Sequence, residues 1–435
     1  MRVLLVGNGA REHAIGLAAK NSGAELYAYM TSKNPGIARL CSDFAVGEAK
    51  VEPIVSWALS KKIELCVVGP EAYLEMGISD AMWKNGIKCV GPIKEAARIE
   101  WDKAFARNLM KKHGISGCPK FGVFTDVKKA SDFIDSLGDV AIKPAGLTGG
   151  KGVMVTGQQL KSTEEAKEYA AKVIEENIGG LKAVVVEEKL VGQEFTLQAF
   201  VDGNSVVPCP CVQDHKLAFE GDTGPNTGGM GSYSDKGLLP FMTPADYEEA
   251  MKIMKDTVQA LKHEGIIYKG FLYGQFMICR DGVKLIEFNS RLGDPEAMNV
   301  LPILKTNFLD ILNAIADEYL KNADFESKAT VCKYLVPEGY PTNPKKNAEI
   351  TVDEGAIAKR AMLFYASVDE RDGKIYTGSS RAIALLGIGD TIEEAEAKAE
   401  SATQFVKGPL YHRRDVGTRE LIQKRVDMMQ KIREG

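Results

Sequence analysis

Glu287 and Asn289 stand two residues apart in "KLIEFN", among the apolar residues Leu285, Ile286 and Phe288. In a strand that spacing sends both side chains out of one face. Oxygen donors from a Glu and an Asn, with no His or Cys nearby, suit a hard cation such as magnesium or manganese. Magnesium held by few protein ligands completes its octahedron with phosphate oxygens, so a nucleotide is implied. Gln275 precedes them in "GFLYGQFMICRDGVKLIEFNSRLGDPE", which reads as strand, turn, strand, loop. Two registers are open. A two-residue Asp281-Gly282 loop puts Gln275 on the opposite face from Glu287, and a three-residue loop of residues 280–282 sets the two side by side.

Three further stretches could handle phosphate or sugar. "AIKPAGLTGGKGVMV" (141–155) is rich in glycine but is not a Walker A loop. Ala145 replaces its first glycine, Gly152 its Ser or Thr, and a strand rather than a helix follows. "VGNGAREH" (6–13) begins like a dinucleotide fingerprint, but the third glycine would fall on Glu12. Arg11 beside a helix N-terminus suits a phosphomonoester, with a tight turn and a surface ion pair as the plainer alternative. In "VVGPEAYLEMG" (67–77), Glu71 could bind hydroxyls or an amine, or simply cap a helix.

These stretches need a frame. The 435 residues are too many for one core, so two to four domains are expected. Residues 2–7, 63–69 and 87–91 are continuous apolar runs closed by glycine, as in a parallel sheet covered on both faces, with ligands at the strands' carboxyl ends. Residues 94–114 read as one helix ending at Gly114. Two acidic helices follow within 120–190, and longer strands, a glycine-rich "GDTGPNTGGMGSY" and a helix (244–263) fill 190–325. Residues 321–328 read as a linker, and β runs with a helix close the chain. A formal charge of −4 argues against a nucleic-acid binder, and no apolar run reaches the length of a membrane span. The eight cysteines form no metal or disulfide pattern, which fits buried thiols in a reducing cytoplasm.

In their order, "GNGAREH", "VGPEA", "IKPAGLTGGKGV", "QDHK", "DTGPNTGGMGSYS", "GFLYGQFMI" and "IEFNSRLGDPE" resemble the glycinamide ribonucleotide synthetase (phosphoribosylamine–glycine ligase) family of the ATP-grasp superfamily. The match runs over roughly residues 1 to 300 and more weakly beyond, through "HRRDVGTR". The resemblance implies a multidomain α/β and α+β chain. A parallel α/β domain would span 1–100, a two-lobed ATP-grasp domain 101–325 with its lid lobe at about 121–190, and a small β-rich domain 326–435. The glycine-rich loop would then be a lid over the phosphates, needing no helix behind it.

The same resemblance implies roles. Lys103, Lys143 and the lid residues Gly149, Gly150, Lys151 and Gly152 would meet ATP phosphates. Glu187, Glu188 and Leu190 would flank adenine, and Glu194 would take the ribose hydroxyls. Glu287 and Asn289, with Gln275, would hold magnesium or manganese. Asn8, Gly9, Arg11, Pro70 and Glu71 would line the phosphoribosylamine site. Asp214, Lys216, Asn226 and Arg291 would surround glycine and the reacting phosphate, with Lys143, Arg291 and Asp214 catalytic. His215, between Asp214 and Lys216, reads as structural as readily as it reads as a base. Tyr73, Ala145, Ser290 and Leu292 depart from the family's usual residues. The expected reaction is ATP-dependent ligation of glycine to 5-phosphoribosylamine through glycyl phosphate, in purine biosynthesis. It would occur in the cytoplasm, with small molecules as partners, no nucleic acid, no membrane, and a monomer as the simplest state. Another ATP-grasp ligase or an NAD-dependent oxidoreductase is the rival reading.

Overall fold

The computed structural model describes residues 1–148 and 152–434. Its first hundred residues form a five-stranded parallel sheet, in the order Asp43–Val46, Glu25–Met30, Arg2–Val6, Leu65–Val68, Lys88–Val90. The unbroken apolar run of the first strand serves two cores. Val3 and Leu5 pack beneath the helix Ala10–Asn21, while Leu4 and Val6 join Ile54, Ala58 and Met82 from the helices Val51–Ser60 and Ile78–Lys84. A strand covered on both faces has no polar side to alternate with, which is why it reads as continuous.

The stretch read as one helix over 94–114 is two, Lys94–Trp101 and Lys103–Lys112. Asp102 leaves helical geometry (φ −127°, ψ 91°) and its carboxylate accepts from the Phe105 N–H at 2.9 Å, capping the second helix. Lys103 therefore opens a helix, and its own N–H donates to Ala145 O at 2.8 Å, at the mouth of the glycine-rich loop.

A four-stranded antiparallel sheet follows, in the order Phe121–Phe124, Val184–Glu188, Val140–Pro144, Met154–Val155. The helices Val127–Leu137 and Thr163–Glu175 cover one face through Ala130, Ile134, Ala166, Ala170 and Val173. The second lobe is another four-stranded antiparallel sheet, Val206–Pro208, Gln193–Asp202, Lys269–Cys279, Gly282–Asn289, backed by the helix Pro244–His263.

Gln213–Asp214 and Gly231–Ser234 leave that lobe and join Ala329–Pro337, Ile383–Gly389 and Met362–Tyr365 in one sheet. That sheet is therefore continuous across the boundary drawn at 325/326. The segment read as a linker is docked: Glu326 N–H donates to Ile303 O (2.7 Å) and Asp324 O accepts from Lys305 N–H (2.8 Å). The chain ends in a helix, Arg419–Glu434, that the sequence pattern did not reveal. Among the described residues, no helix is long and apolar enough to cross a membrane. All eight cysteines are free, and six are buried.

Candidate active site

The strand pair carrying Glu287 and Asn289 settles the register by a route the turn alone did not reveal. Cys279 pairs with Gly282 across a two-residue Arg280-Asp281 turn, and the pairing then shifts between Gln275 and Phe276, leaving Ile286 as an extra, bulged residue. Beyond the bulge Gln275 faces Glu287 directly. Neither loop considered from sequence forms, although the side-by-side outcome of the second does. The bulge frees backbone carbonyls, and two cations take them. Arg107 donates to Leu285 O (3.0 Å) and Ile286 O (2.8 Å), and Lys143 donates to Ile286 O (2.9 Å).

Those cations also close on Glu187. Arg107 holds it bidentately at 2.6 and 3.0 Å and Lys143 approaches at 2.7 Å, all three buried. Burial pushes the Glu187 carboxyl up, but the two cations outweigh it and bring it down to about 2. Burial, with Arg107 nearby, lowers Lys143 despite its partner. The Glu187 side chain is thus committed to an internal ion-pair triad, not free to flank a base. What its strand end can offer an adenine is backbone. Glu188 accepts from Lys120 N–H at 2.8 Å.

Glu287 is half-buried and 3.4 Å from the Asn289 amide, on one face. Burial alone would raise its carboxyl, but Lys103, Lys216 and Lys143, with that amide, draw it below the ordinary range. The group is held ionised in a ring of lysines. Gln275 donates to Glu194 at 2.6 Å. Lys216 pairs with Asp214 at 3.0 Å, and Lys103 Nζ lies 3.4 Å from Gly146 O. Asn226 sits opposite Leu217 in the small hairpin after Lys216. Gly152 donates its N–H to Thr148 Oγ1 and accepts from the Tyr169 hydroxyl. Gly149, Gly150 and Lys151 lie outside the described residues.

Arg291 connects this face to the parallel sheet. It reaches Glu71 (3.1 Å), Glu100 (3.1 Å) and Asn289 Oδ1 (3.1 Å). Burial pushes Glu71 up, yet Arg291 and Arg11 bring it down to about 2. Glu71 opens the helix Glu71–Glu75 behind Pro70, so it occupies a helix start and a half-buried ion pair at once. Ser290, one of the departures from the family pattern, donates both N–H and hydroxyl to Glu100 at 2.7 Å.

At the first loop, Glu12 fills the space a dinucleotide fold keeps open. A Cβ on Gly69 would lie 2.2 Å from Glu12 Oε1 and one on Gly7 (φ +119°) 2.7 Å from its Cγ, while Oε2 accepts from Gly9 N–H at 2.6 Å. The carboxylate stands where a pyrophosphate would need bare backbone, which removes the oxidoreductase reading. Arg11 pairs with Glu12 at 2.5 Å and donates to Leu292 O, and this pair is buried rather than on the surface. Asn8 bonds Ser32 and Thr31.

Arg107, Glu100 and Glu296 escaped the sequence reading. Glu296 accepts from the Tyr273 and Thr196 hydroxyls at 2.9 and 3.3 Å, and its only sequence signal was membership of "GDPE". His215 is buried, and burial with Arg413 and Arg425 lowers it to about 4, which makes it a neutral packed imidazole. Two clefts of about 340 and 300 Å³ lie elsewhere, near Cys209 and near Ala14, and neither touches these groups.

This donor set suits a hard, oxygen-preferring cation. Burial is outweighed at Glu287 by the surrounding lysines, and Gln275 lies opposite it. Asn289, whose Nδ2 now faces Glu287 and whose Oδ1 accepts from Arg291, would offer an oxygen by rotating its amide. No cluster of three or more Cys, His, Asp or Glu among the described residues offers a self-sufficient cage. Such a set depends on oxygens brought by a phosphate.

Comparison with known proteins agrees in each part of the chain. The phosphoribosylglycinamide synthetase N domain matches residues 1–100, its ATP-grasp domain residues 101–297 and its C domain residues 330–419. A phosphoribosylamine–glycine ligase of Methanosarcina barkeri is 55% identical over the whole of both chains, and one of Methanothermobacter thermautotrophicus is 51% identical over the same share. The crystal structure of a phosphoribosylamine–glycine ligase from Thermotoga maritima superposes with a TM-score of 0.82 at 32% identity, covering 95% of this chain and all of its own. A biotin carboxylase domain from Hydrogenobacter thermophilus, at 16% identity and a TM-score of 0.73 over 99% of this chain and 94% of its own, shares the fold. The chain belongs to the phosphoribosylglycinamide synthetase family of ATP-grasp ligases.

Proposed function

We propose that this chain ligates glycine to 5-phosphoribosylamine at the expense of ATP, giving glycinamide ribonucleotide, ADP and phosphate in purine biosynthesis. One observation carries the reading. Glu287, whose carboxyl Lys103, Lys216 and Lys143 draw downward, sits with Asn289 at a strand end, and Arg291 bonds Asn289 and reaches to Glu71 at the carboxyl end of the parallel sheet. That one side chain links the residues assigned to the triphosphate with those assigned to the sugar phosphate supports the reading.

In the first step a glycine carboxylate oxygen attacks the γ-phosphorus in line, and the bond to the β-phosphate bridge oxygen breaks, releasing ADP. Lys103, Lys143 and Arg291 stabilise the charge spread over the moving phosphoryl oxygens. In the second step the phosphoribosylamine nitrogen attacks the acyl carbon of glycyl phosphate. The acyl C–O bond breaks, and phosphate leaves with the proton the amine gives up. Asp214 and Lys216, paired with each other, orient glycine with Asn226. Asn8, Gly9, Arg11, Pro70 and Glu71 hold the sugar phosphate. Glu287 and Asn289, with Gln275, would hold magnesium or manganese, which would neutralise phosphate charge. Glu188, Leu190 and Glu194 receive the adenosine, and an acyl phosphate so formed must be kept from water.

The test is release of ADP and phosphate when ATP, glycine and phosphoribosylamine are combined. Glu287→Ala abolishes that release with an unchanged circular dichroism spectrum, and a variant with normal turnover defeats the assignment.

A further inference from the structure

Arg381 lies at the start of the C-terminal "RAIALLGIG" run, in a part of the chain to which no site residue was assigned. Its Nη1 donates to three carbonyls: Gly228 O (2.7 Å), Asp294 O (2.8 Å) and Gly229 O (3.1 Å). Nη2 pairs with the Asp294 carboxylate at 3.3 Å, and the guanidinium carbon Cζ lies 4.4 Å from the centre of the Tyr334 ring. Tyr334 donates its hydroxyl to the same carboxylate. The glycines are shaped to it: a Cβ on Gly228 would lie 3.1 Å from Arg381 Cζ, and Gly229 is left-handed at φ +110°.

The turn so held leads directly to the glycine subsite. Gly229 N–H donates to Thr227 Oγ1 (3.0 Å), while Thr227 Oγ1 and N–H both donate to Lys216 O (2.7 and 2.8 Å). Asn226 adjoins Thr227 in the chain. On its other side Asp294 approaches the first loop, 3.7 Å from where a Gly9 Cβ would stand. A planar, forked cation suits this convergence of oxygens in a way that a point charge does not.

We propose that Arg381 is a positioning residue for glycine. It fixes the turn 227–229, and through Thr227 it fixes Lys216 and Asn226. The proposal rests on the function given above, and wild-type turnover checks that function separately. In steady-state assays Arg381→Ala raises the KM for glycine about tenfold or more, as loss of charge-assisted hydrogen bonds from a guanidinium implies, while the KM for ATP stays within about twofold. Added guanidinium ion restores glycine affinity, whereas ammonium does not. If Arg381→Ala fails to fold, Arg381→Lys decides, since one nitrogen cannot serve both the carbonyls and Asp294 and glycine KM again rises. Glycine KM unchanged in the folded variants, or a loss of turnover that tracks the unfolded fraction and resists guanidinium, overturns the proposal. Absence of wild-type turnover removes both readings.

Discussion

Glu187 and Glu287 are two glutamates that touch or face the same lysine, and their surroundings divide their work. Lys143 bonds Glu187 at 2.7 Å and the carbonyl beside Glu287 at 2.9 Å. Glu187 is closed in with two cations, whereas Glu287 is half-buried and, among the described residues, bonded to the Asn289 amide alone. Glu187→Gln should therefore act on stability first. It leaves Arg107 and Lys143 buried without their anion, a loss on the order of 3–5 kcal/mol by urea unfolding. If Glu187 instead served adenine through its side chain, the variant would keep its stability and lose only ATP affinity. Unchanged unfolding with a raised KM for ATP would refute the structural assignment. The motif resemblance selected both glutamates, but sequence could not separate their fates, because Arg107 lies 80 positions from Glu187 and carries no local mark.

Among the elements, the break at Asp102 shows how a helix cap serves a site. The run 94–114 keeps its apolar periodicity through the break, so pattern alone reads one helix. Asp102 ends the first segment and caps the second, which places Lys103 at a helix start against the Ala145 carbonyl. Asp102→Ala should cost about 1 kcal/mol, the usual worth of such a cap, and should also raise the KM for ATP by freeing Lys103. Thr391 caps the helix Ile392–Thr403 in the same way, far from the lysines. Thr391→Ala should cost a similar amount and leave ATP affinity alone. Equal effects of the two on KM would show that the cap does not position Lys103. The buried parallel strands were legible because covering both faces makes them uniformly apolar. The hairpin register was not, since its bulge is anchored by Arg107 178 positions away, and turn chemistry sees only its neighbours. The sheet joining Gly231–Ser234 to Ala329–Pro337 was hidden for the same reason.

Across the whole molecule, the first and last parts of the chain are locked together at His13. The imidazole, in the motif "GAREH", is buried under the C-terminal strand Met362–Tyr365. Its Nδ1 accepts from Tyr365 N–H at 3.0 Å, and its ring packs against Phe364 and Tyr365. Gly36 is in such close contact that a Cβ there would lie 2.1 Å from His13 Cε1. Burial, opposed by Glu354 and assisted by Arg39, lowers His13 to about 4. The sign of the linkage follows. A histidine that is neutral when folded binds its proton more readily when unfolded, so between about pH 6.5 and 4 the unfolded state takes up more protons. Stability is therefore full above that window and falls as acid is added through it. His215, set among Arg413, Arg425, Asp222 and Asp214, acts in the same direction. His13→Phe loses the bond to Tyr365 and is less stable at neutral pH. It also has one proton fewer to gain, so its unfolding free energy should fall less steeply, by about 1.4 kcal/mol per pH unit near the middle of the window. Carboxylates that do not face His13 titrate alike in both proteins and cancel from the difference, while Glu354, which couples to the imidazole, contributes with it. Urea midpoints measured from pH 7 to 4 provide the comparison, and parallel curves for variant and wild type would mean that the imidazole is not held neutral between the two ends of the chain.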